Sequence, residues 1–177
     1  MKKLLINMVL ILIAFVIYFL QSNFFSWFTI AGVKPNLFVI YILFIGLFGS
    51  RTMGTVYGAV IGIILDCLFH EKVGANIIGL TLIGFLATIF DKNFSKDSRM
   101  TTMFMVFGST VLFEIIVYFM NYILYSTNIE ILYFIKILIA EVLYNILITI
   151  IIYPLIQKFG YIIENEYKGN RILTRYF

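Results

Sequence analysis

Long apolar runs separated by short polar turns make up almost the whole sequence. A helix needs about 20 mostly apolar residues to cross the hydrocarbon core of a bilayer. Two runs of 26 residues exceed that length, and the other four, of 14–18 residues, are somewhat shorter. The runs cover residues 4–20, 36–49, 52–69, 76–90, 100–125 and 132–157. This pattern predicts an all-α integral membrane protein, a bundle of about six short transmembrane helices.

The composition supports this interpretation and excludes others. Hydrophobic residues make up 62% of the 177 residues and charged residues only 12%, whereas soluble domains average about 45–50% and 25%. The connections between the runs are too short to hold a soluble catalytic domain, so we expect no enzyme. Cys67 and His70 are the only residues of their types, which excludes an intramolecular disulfide and a His-rich metal site. We expect no cofactor, with Cys67 as a small packing residue and His70 solvated in a turn.

The basic residues predict the topology, because cytoplasmic segments of membrane proteins carry an excess of Lys and Arg. With six spans, ten of the 13 basic residues lie on the side of the two termini and three on the other side. The ten are Lys2, Lys3, Arg51, Lys92, Lys96, Arg99, Lys158, Lys168, Arg171 and Arg175, and the three are Lys34, Lys72 and Lys136. The sequence therefore predicts cytoplasmic N- and C-termini.

The domain organisation follows from the same pattern. Residues 1–177 form a single transmembrane domain in this interpretation, and residues 158–177 form its basic cytoplasmic tail. Pro154 lies near the cytoplasmic end of the last run, where we expect it to kink or end the helix. The mixed apolar and basic tail predicts a helix at the anionic inner membrane surface.

One face of the third predicted helix carries a regular series of small residues. Gly54, Gly58 and Gly62 are spaced four apart and Asp66 continues the series, so all four lie on one face. Such a face lets another helix approach closely. Two interpretations remain open: packing within the bundle, which is the commoner use, and docking of a membrane helix of a partner protein.

Polar residues inside the fifth and sixth runs form a second candidate site. Glu114, Asn121, Glu141 and Asn145 interrupt otherwise apolar helices, and such residues face the bundle interior or water. They are consistent with a proton or cation relay, a cavity for a small polar ligand, or contacts with a partner helix. Alternatively, they pair with each other and with freed backbone groups.

Several short motifs, in their order and spacing, resemble the family of the bacterial rod shape-determining protein MreD. The resemblance extends over essentially the whole chain. Its motifs are Pro35-Asn36-Leu37, the glycine-spaced segment 54–66 ending in Leu-Asp, the turn at 74–76, Glu114, and Leu143-Tyr144-Asn145 followed by Pro154.

The resemblance implies a non-enzymatic subunit of the cell-elongation machinery in the bacterial cytoplasmic membrane. Such a subunit binds the bitopic protein MreC. It belongs to a complex with a peptidoglycan glycosyltransferase and a class B penicillin-binding protein, and it connects indirectly to MreB filaments. By the same resemblance, Asp66, Glu114 and Asn145 become candidates for fold and partner contacts. Membrane lipid is the remaining expected partner, and nucleic acid is not expected.

Two other functions stay open at this point. The substrate-binding membrane subunit of an energy-coupling vitamin transporter also has about six short helices, and its fold is thought to be similar. Those subunits often carry an Ala-xxx-Ala docking patch on the first helix, where this chain has only Ala14. The other alternative is a proton-coupled transporter that uses Glu114 and Glu141.

Overall fold

Six main helices account for most of the chain in a computed structural model that describes residues 2–50, 52–69, 74–94, 96–125 and 130–169. They are α1 (Lys2–Phe19), α2 (Leu37–Phe48), α3 (Met53–Phe69), α4 (Ala75–Asn93), α5 (Arg99–Tyr125) and α6 (Ile131–Tyr167). Four helical stretches are long and apolar enough to cross a membrane, and α2 and α3 are shorter apolar helices. The prediction of a membrane protein built from about six helices is confirmed.

The connection from α1 to α2 is partly helical. The helix continues beyond α1 as a π-helical segment, Leu20–Phe24, and a single turn, Phe25–Trp27. The chain then reverses at 30–33, where Ile30 and Val33 exchange backbone hydrogen bonds of 2.9 and 3.0 Å. Many of the side chains in this connection are exposed, and Trp27 is 88% exposed.

The short helix α2 lies at the centre of the bundle. All of its twelve residues are buried, and it contacts each of the other five helices. A helix that is apolar on every side can be buried completely, in a protein core or in a membrane. At 1.5 Å per residue α2 is only about 18 Å long, so one end of it lies within the bundle.

The last helix is longer than the sequence predicted. Pro154 lies inside α6 without ending it, and the helix continues to Tyr167, ten residues beyond the predicted end at 157. A proline removes one backbone hydrogen bond, which helices in membrane proteins tolerate when neighbouring groups compensate. Tyr161, Ile163 and Tyr167 pack against the core of the bundle. Residues 158–167 are therefore a packed extension of α6 rather than a separate surface helix.

The two ends of the described chain meet at the same end of the bundle. The Lys2 ammonium group lies 3.5 Å from the Glu166 carboxylate, and the Tyr167 hydroxyl donates to the backbone oxygen of Lys3. We call this the charged end, because a cluster of Asp91, Lys96, Glu164 and Lys168 also lies there. The opposite end, which holds residues 20–36, is called the loop end.

Candidate functional site

The glycine face of α3 lies against the backbones of α2 and α4. A Cβ atom added to Gly54 would lie 2.6 Å from the Cα atom of Gly46, and one added to Gly58 would collide with the carbonyl oxygen of Leu80. Gly62 makes an equally close approach to the start of α4. Helices that touch in this way bury their glycines against backbone. The face that sequence analysis singled out is thus occupied by neighbouring helices of the same chain.

Asp66 ends this face and caps α4. Its carboxylate accepts backbone hydrogen bonds from Gly74 at 2.9 Å, Ile77 at 3.1 Å and Asn76 at 3.3 Å, and one from the Asn76 side chain at 2.9 Å. The first N–H groups of a helix have no partner within the helix, and its N-terminus carries partial positive charge. The Asp66 carboxylate on α3 therefore supplies both hydrogen-bond acceptors and a negative charge to the start of α4. It does so from a buried position, because Asp66 is only 2% exposed.

The second candidate site gathers around the buried start of α2. The Asn145 side-chain oxygen accepts the Asn36 backbone N–H at 2.8 Å, and its amide nitrogen donates to the Thr110 hydroxyl at 3.0 Å. Glu141 interacts with both Glu114 and the Asn36 side chain. The structure thus brings Glu114, Glu141 and Asn145 together. It adds Asn36 and Thr110 to the cluster.

This polar cluster provides acceptors for the first N–H groups of α2, which begins inside the bundle. Asn145 lies fourteen residues into α6, about 21 Å along its axis, and it meets α2 at its first residues. The Leu37 N–H donates to the Gln21 side chain at 3.1 Å, and the Val39 N–H donates to the Asn36 side chain at 3.3 Å. The first amide groups of α2 therefore find acceptors within the protein. In hydrocarbon no water would replace them.

Asn121 occupies a different position from the other predicted members. It lies seven residues after Glu114 on α5, about 10 Å along the helix axis, and its side chain is buried. Glu141 is also buried, and one of its carboxyl oxygens has no hydrogen-bond partner among the described residues. The predicted cluster is therefore three neighbouring residues, with Asn121 two turns away from them.

A partly buried cluster of charges at the charged end, in which Lys96 is the buried member, was not predicted. The Lys96 ammonium group lies 2.8 Å from Asp91 and 2.5 Å from Glu164, and Lys168 lies 2.8 Å from Asp91. Both lysines also donate to the backbone oxygen of Leu47, the next to last residue of α2. Burial lowers the pKa of Lys168, although the neighbouring Asp91 carboxylate opposes this shift.

Residues of α6 hold the α4–α5 connection in place. The Tyr153 hydroxyl donates to the Asp97 backbone oxygen at 2.8 Å, and the Gln157 amide donates to the Lys96 backbone oxygen at 2.7 Å. Because α6 side chains bind the backbone of this connection and Glu164 pairs with Lys96, the connection is part of the packed structure.

Cysteine and histidine were considered as metal ligands, and the described ranges contain no metal site built from them. No group of three or more His, Cys, Asp or Glu side chains there is placed to hold a metal ion. Cys67 was expected to be a small packing residue, and it is instead exposed on α3. His70 lies outside the described residues.

Apolar helices that cross a bilayer, short turns and buried polar residues that cap helices define a polytopic helical membrane protein. A family model for the rod shape-determining protein MreD matches residues 2–162. The chain therefore belongs to the MreD family, whose members act in rod-shape determination and are described as shape-determining proteins rather than as enzymes. The match extends from α1 into the packed extension of α6. Searches of curated proteins and of solved structures gave no match.

Proposed function

We propose that this chain is a non-enzymatic membrane subunit of the cell-elongation complex in the bacterial cytoplasmic membrane. It binds an MreC-like bitopic protein and helps organise peptidoglycan synthesis by a glycosyltransferase and a class B penicillin-binding protein. The family match over residues 2–162 carries this proposal. Asn145 and Asp66 support it, because their side chains accept backbone hydrogen bonds at the starts of helices of the same chain.

The outward face of α1 is the surface we assign to the membrane helix of the partner. The glycine face of α3 is already covered by α4 and α2, whereas α1 has only one buried residue, Leu10. Membrane helices associate mainly through close packing rather than through a hydrophobic driving force. The face we assign carries Met8, Ile11, Leu12, Phe15, Val16 and Phe19.

Co-purification from native membranes tests this proposal. We expect the tagged chain, extracted in mild detergent, to retain an MreC-like protein together with cell-wall synthases. The double variant Leu12→Ala/Phe15→Ala should lose the MreC-like protein. The matched variant Phe104→Ala/Phe107→Ala, which changes exposed positions of α5, should keep it.

Two outcomes would refute the proposal. Recovery of a coupling ATPase and its membrane partner would instead identify a substrate-capture subunit of a vitamin transporter. Recovery of no cell-wall protein from membranes that contain the elongation complex would leave the proposed partners without support. Equal retention by both double variants would refute only the assignment to α1.

The orientation is part of the same proposal. The charged end holds the start of α1 and the end of α6, and by the positive-inside rule it faces the cytoplasm. A membrane-impermeant thiol reagent should therefore leave a cysteine introduced at Lys2 unlabelled in intact cells, in a Cys67→Ser background. A cysteine introduced at Lys34, on the loop end, should be labelled. The reverse pattern would contradict the proposed orientation.

A further inference from the structure

The first helix is fastened to the bundle by hydrogen bonds near both of its ends, and between them only Leu10 is buried. Near the charged end, the Asn7 side-chain oxygen accepts hydrogen bonds from Tyr167 at 2.8 Å and Tyr57 at 3.1 Å. Near the loop end, Gln21 accepts the Leu37 N–H at 3.1 Å. These polar tethers fix the spacing between α1 and its neighbours.

The space between the tethers is a long apolar groove bounded by α1, α2 and α6. Its volume is about 340 Å³, and nearly all of its lining is hydrocarbon. The hydroxyl group of Tyr41 is already bonded to the Leu10 backbone oxygen at 2.6 Å, so it does not make the groove polar. The walls include Ile13, Ile17, Ile40, Phe44, Ile152 and Ile156.

The dimensions of the groove decide what fits inside it. Along α2 it extends from Leu37 to Phe48, about 16 Å at the helical rise of 1.5 Å per residue. The groove is therefore long and apolar enough to take one extended hydrocarbon chain.

One unpaired cation lies beside the groove toward the charged end. Lys158 stands on α6 between Leu155 and Phe159, which both line the groove, and it is exposed. It forms no ion pair with any residue that the structure describes, whereas Lys96 and Lys168 both contact carboxylates. A lysine near a membrane surface extends its ammonium group toward the headgroups and attracts anionic lipid.

We propose that this groove binds one acyl chain of an anionic membrane phospholipid, whose phosphate group is held by Lys158. The acyl chain fills the space between α1, α2 and α6, and the tethers at Asn7 and Gln21 keep the groove open for it. The lipid is thus an integral part of the fold, bound inside the outline of the bundle rather than on its outer surface.

Native mass spectrometry of the full-length protein tests this proposal. The protein is extracted from nanodiscs of phosphatidylglycerol and phosphatidylethanolamine, and bound lipids are counted as the collision energy rises. We expect one phosphatidylglycerol to remain on the unmodified protein after all others have left. Ile152→Trp fills the groove and should abolish this retention. Phe15→Trp, on the outward face of α1, should leave it unchanged.

The headgroup contact has its own matched pair of variants. Lys158→Gln should weaken the retained phosphatidylglycerol about fivefold, the effect expected of one lysine near an anionic surface. Lys92→Gln changes another exposed lysine, on α4, and should have no effect. If Lys158→Gln leaves the preference for phosphatidylglycerol unchanged, the assignment of the phosphate to Lys158 is wrong.

Two results would overturn the acyl-chain site itself. One is the absence of any retained lipid on the unmodified protein. The other is equal lipid retention by the Ile152→Trp and Phe15→Trp variants, because lipid on the outer surface would behave in this way. Should Ile152→Trp fail to fold, as judged by gel filtration, the smaller change Ile17→Phe on the opposite wall gives the same comparison.

Discussion

Replacing Gly58 with alanine tests the contact between α3 and α4 most directly. The new Cβ atom would collide with the carbonyl oxygen of Leu80 and would lie 2.7 Å from its carbonyl carbon and 3.1 Å from the Cα atom of Thr81. All three atoms belong to the backbone of α4, so no side chain can rotate away to make room. The two helices must separate, and the neighbouring contacts at Gly54 and Gly62 must separate with them.

The expected change in the free energy of unfolding follows from two opposing effects. Overpacking a well-packed interface costs about 1–3 kcal/mol, whereas exchanging glycine for alanine inside a helix stabilises it by about 0.5–1 kcal/mol. We therefore expect Gly58→Ala to lower the free energy of unfolding by about 1–2 kcal/mol. Gly108 on α5 is the matched control, because a Cβ added there meets nothing within 4 Å. Gly108→Ala should leave the protein as stable or slightly more stable.

Unfolding of the purified variants in one detergent measures this difference. The helical circular dichroism signal is followed against temperature and against the fraction of dodecyl sulfate in mixed micelles. Gly58→Ala should unfold earlier than the unmodified protein, and Gly108→Ala should not. If Gly58→Ala is as stable as the unmodified protein, or if both variants shift in the same direction, the close backbone contact between α3 and α4 is wrong.

Three further variants test the buried polar contacts. Asp66→Ala removes the cap of α4, and we expect a loss of about 2 kcal/mol together with faster hydrogen exchange of the amides at 74–77. Lys96→Met leaves the half-buried Asp91 and Glu164 carboxylates without their central cation and should cost about 1–3 kcal/mol in dodecyl sulfate unfolding, whereas Lys92→Met, at an exposed position, should have no effect. Asn145→Leu leaves the partly buried N–H of Asn36 without its acceptor and should cost about 1–3 kcal/mol in the same assay.

Each of these variants has a result that would contradict the contact behind it. Unchanged exchange at 74–77 in Asp66→Ala would mean that α4 is capped by another group. Equal stability of Lys96→Met and Lys92→Met would mean that Lys96 is solvated. An Asn145→Leu variant as stable as the unmodified protein would show that water reaches the start of α2.

The helices were largely predictable because each is bounded by a sharp change in polarity. The predicted runs 52–69 and 100–125 differ by one residue at most from α3 and α5. The last helix was predicted too short because the sequence beyond 157 is mixed in character. Its continuation depends on contacts with distant parts of the chain, such as the pairing of Glu164 with Lys96, 68 residues away.

The candidate sites were predictable where a polar residue interrupts an apolar helix. Glu114, Glu141 and Asn145 stand out for this reason. Asn36 and Thr110 do not, because a residue at a helix start and a threonine within a helix are both ordinary in sequence. Their roles arise only when the start of α2 comes to lie beside the middle of α6. No local sequence pattern can predict this contact, because Asn36 and Asn145 are 109 residues apart in the chain.

The enclosure of α2 also has a consequence for how the protein is made. It leaves the ribosome as the second helix, before α4, α5 and α6, which later surround it, have been synthesised. Until residue 145 has entered the membrane, the N–H group of Asn36 lacks the acceptor that it has in the finished protein. Insertion of α6 is therefore the step that completes the bundle. In a nascent chain interrupted before that step, Gln21 and the Asn36 side chain can still accept the N–H groups of Leu37 and Val39, but the N–H group of Asn36 lacks its acceptor.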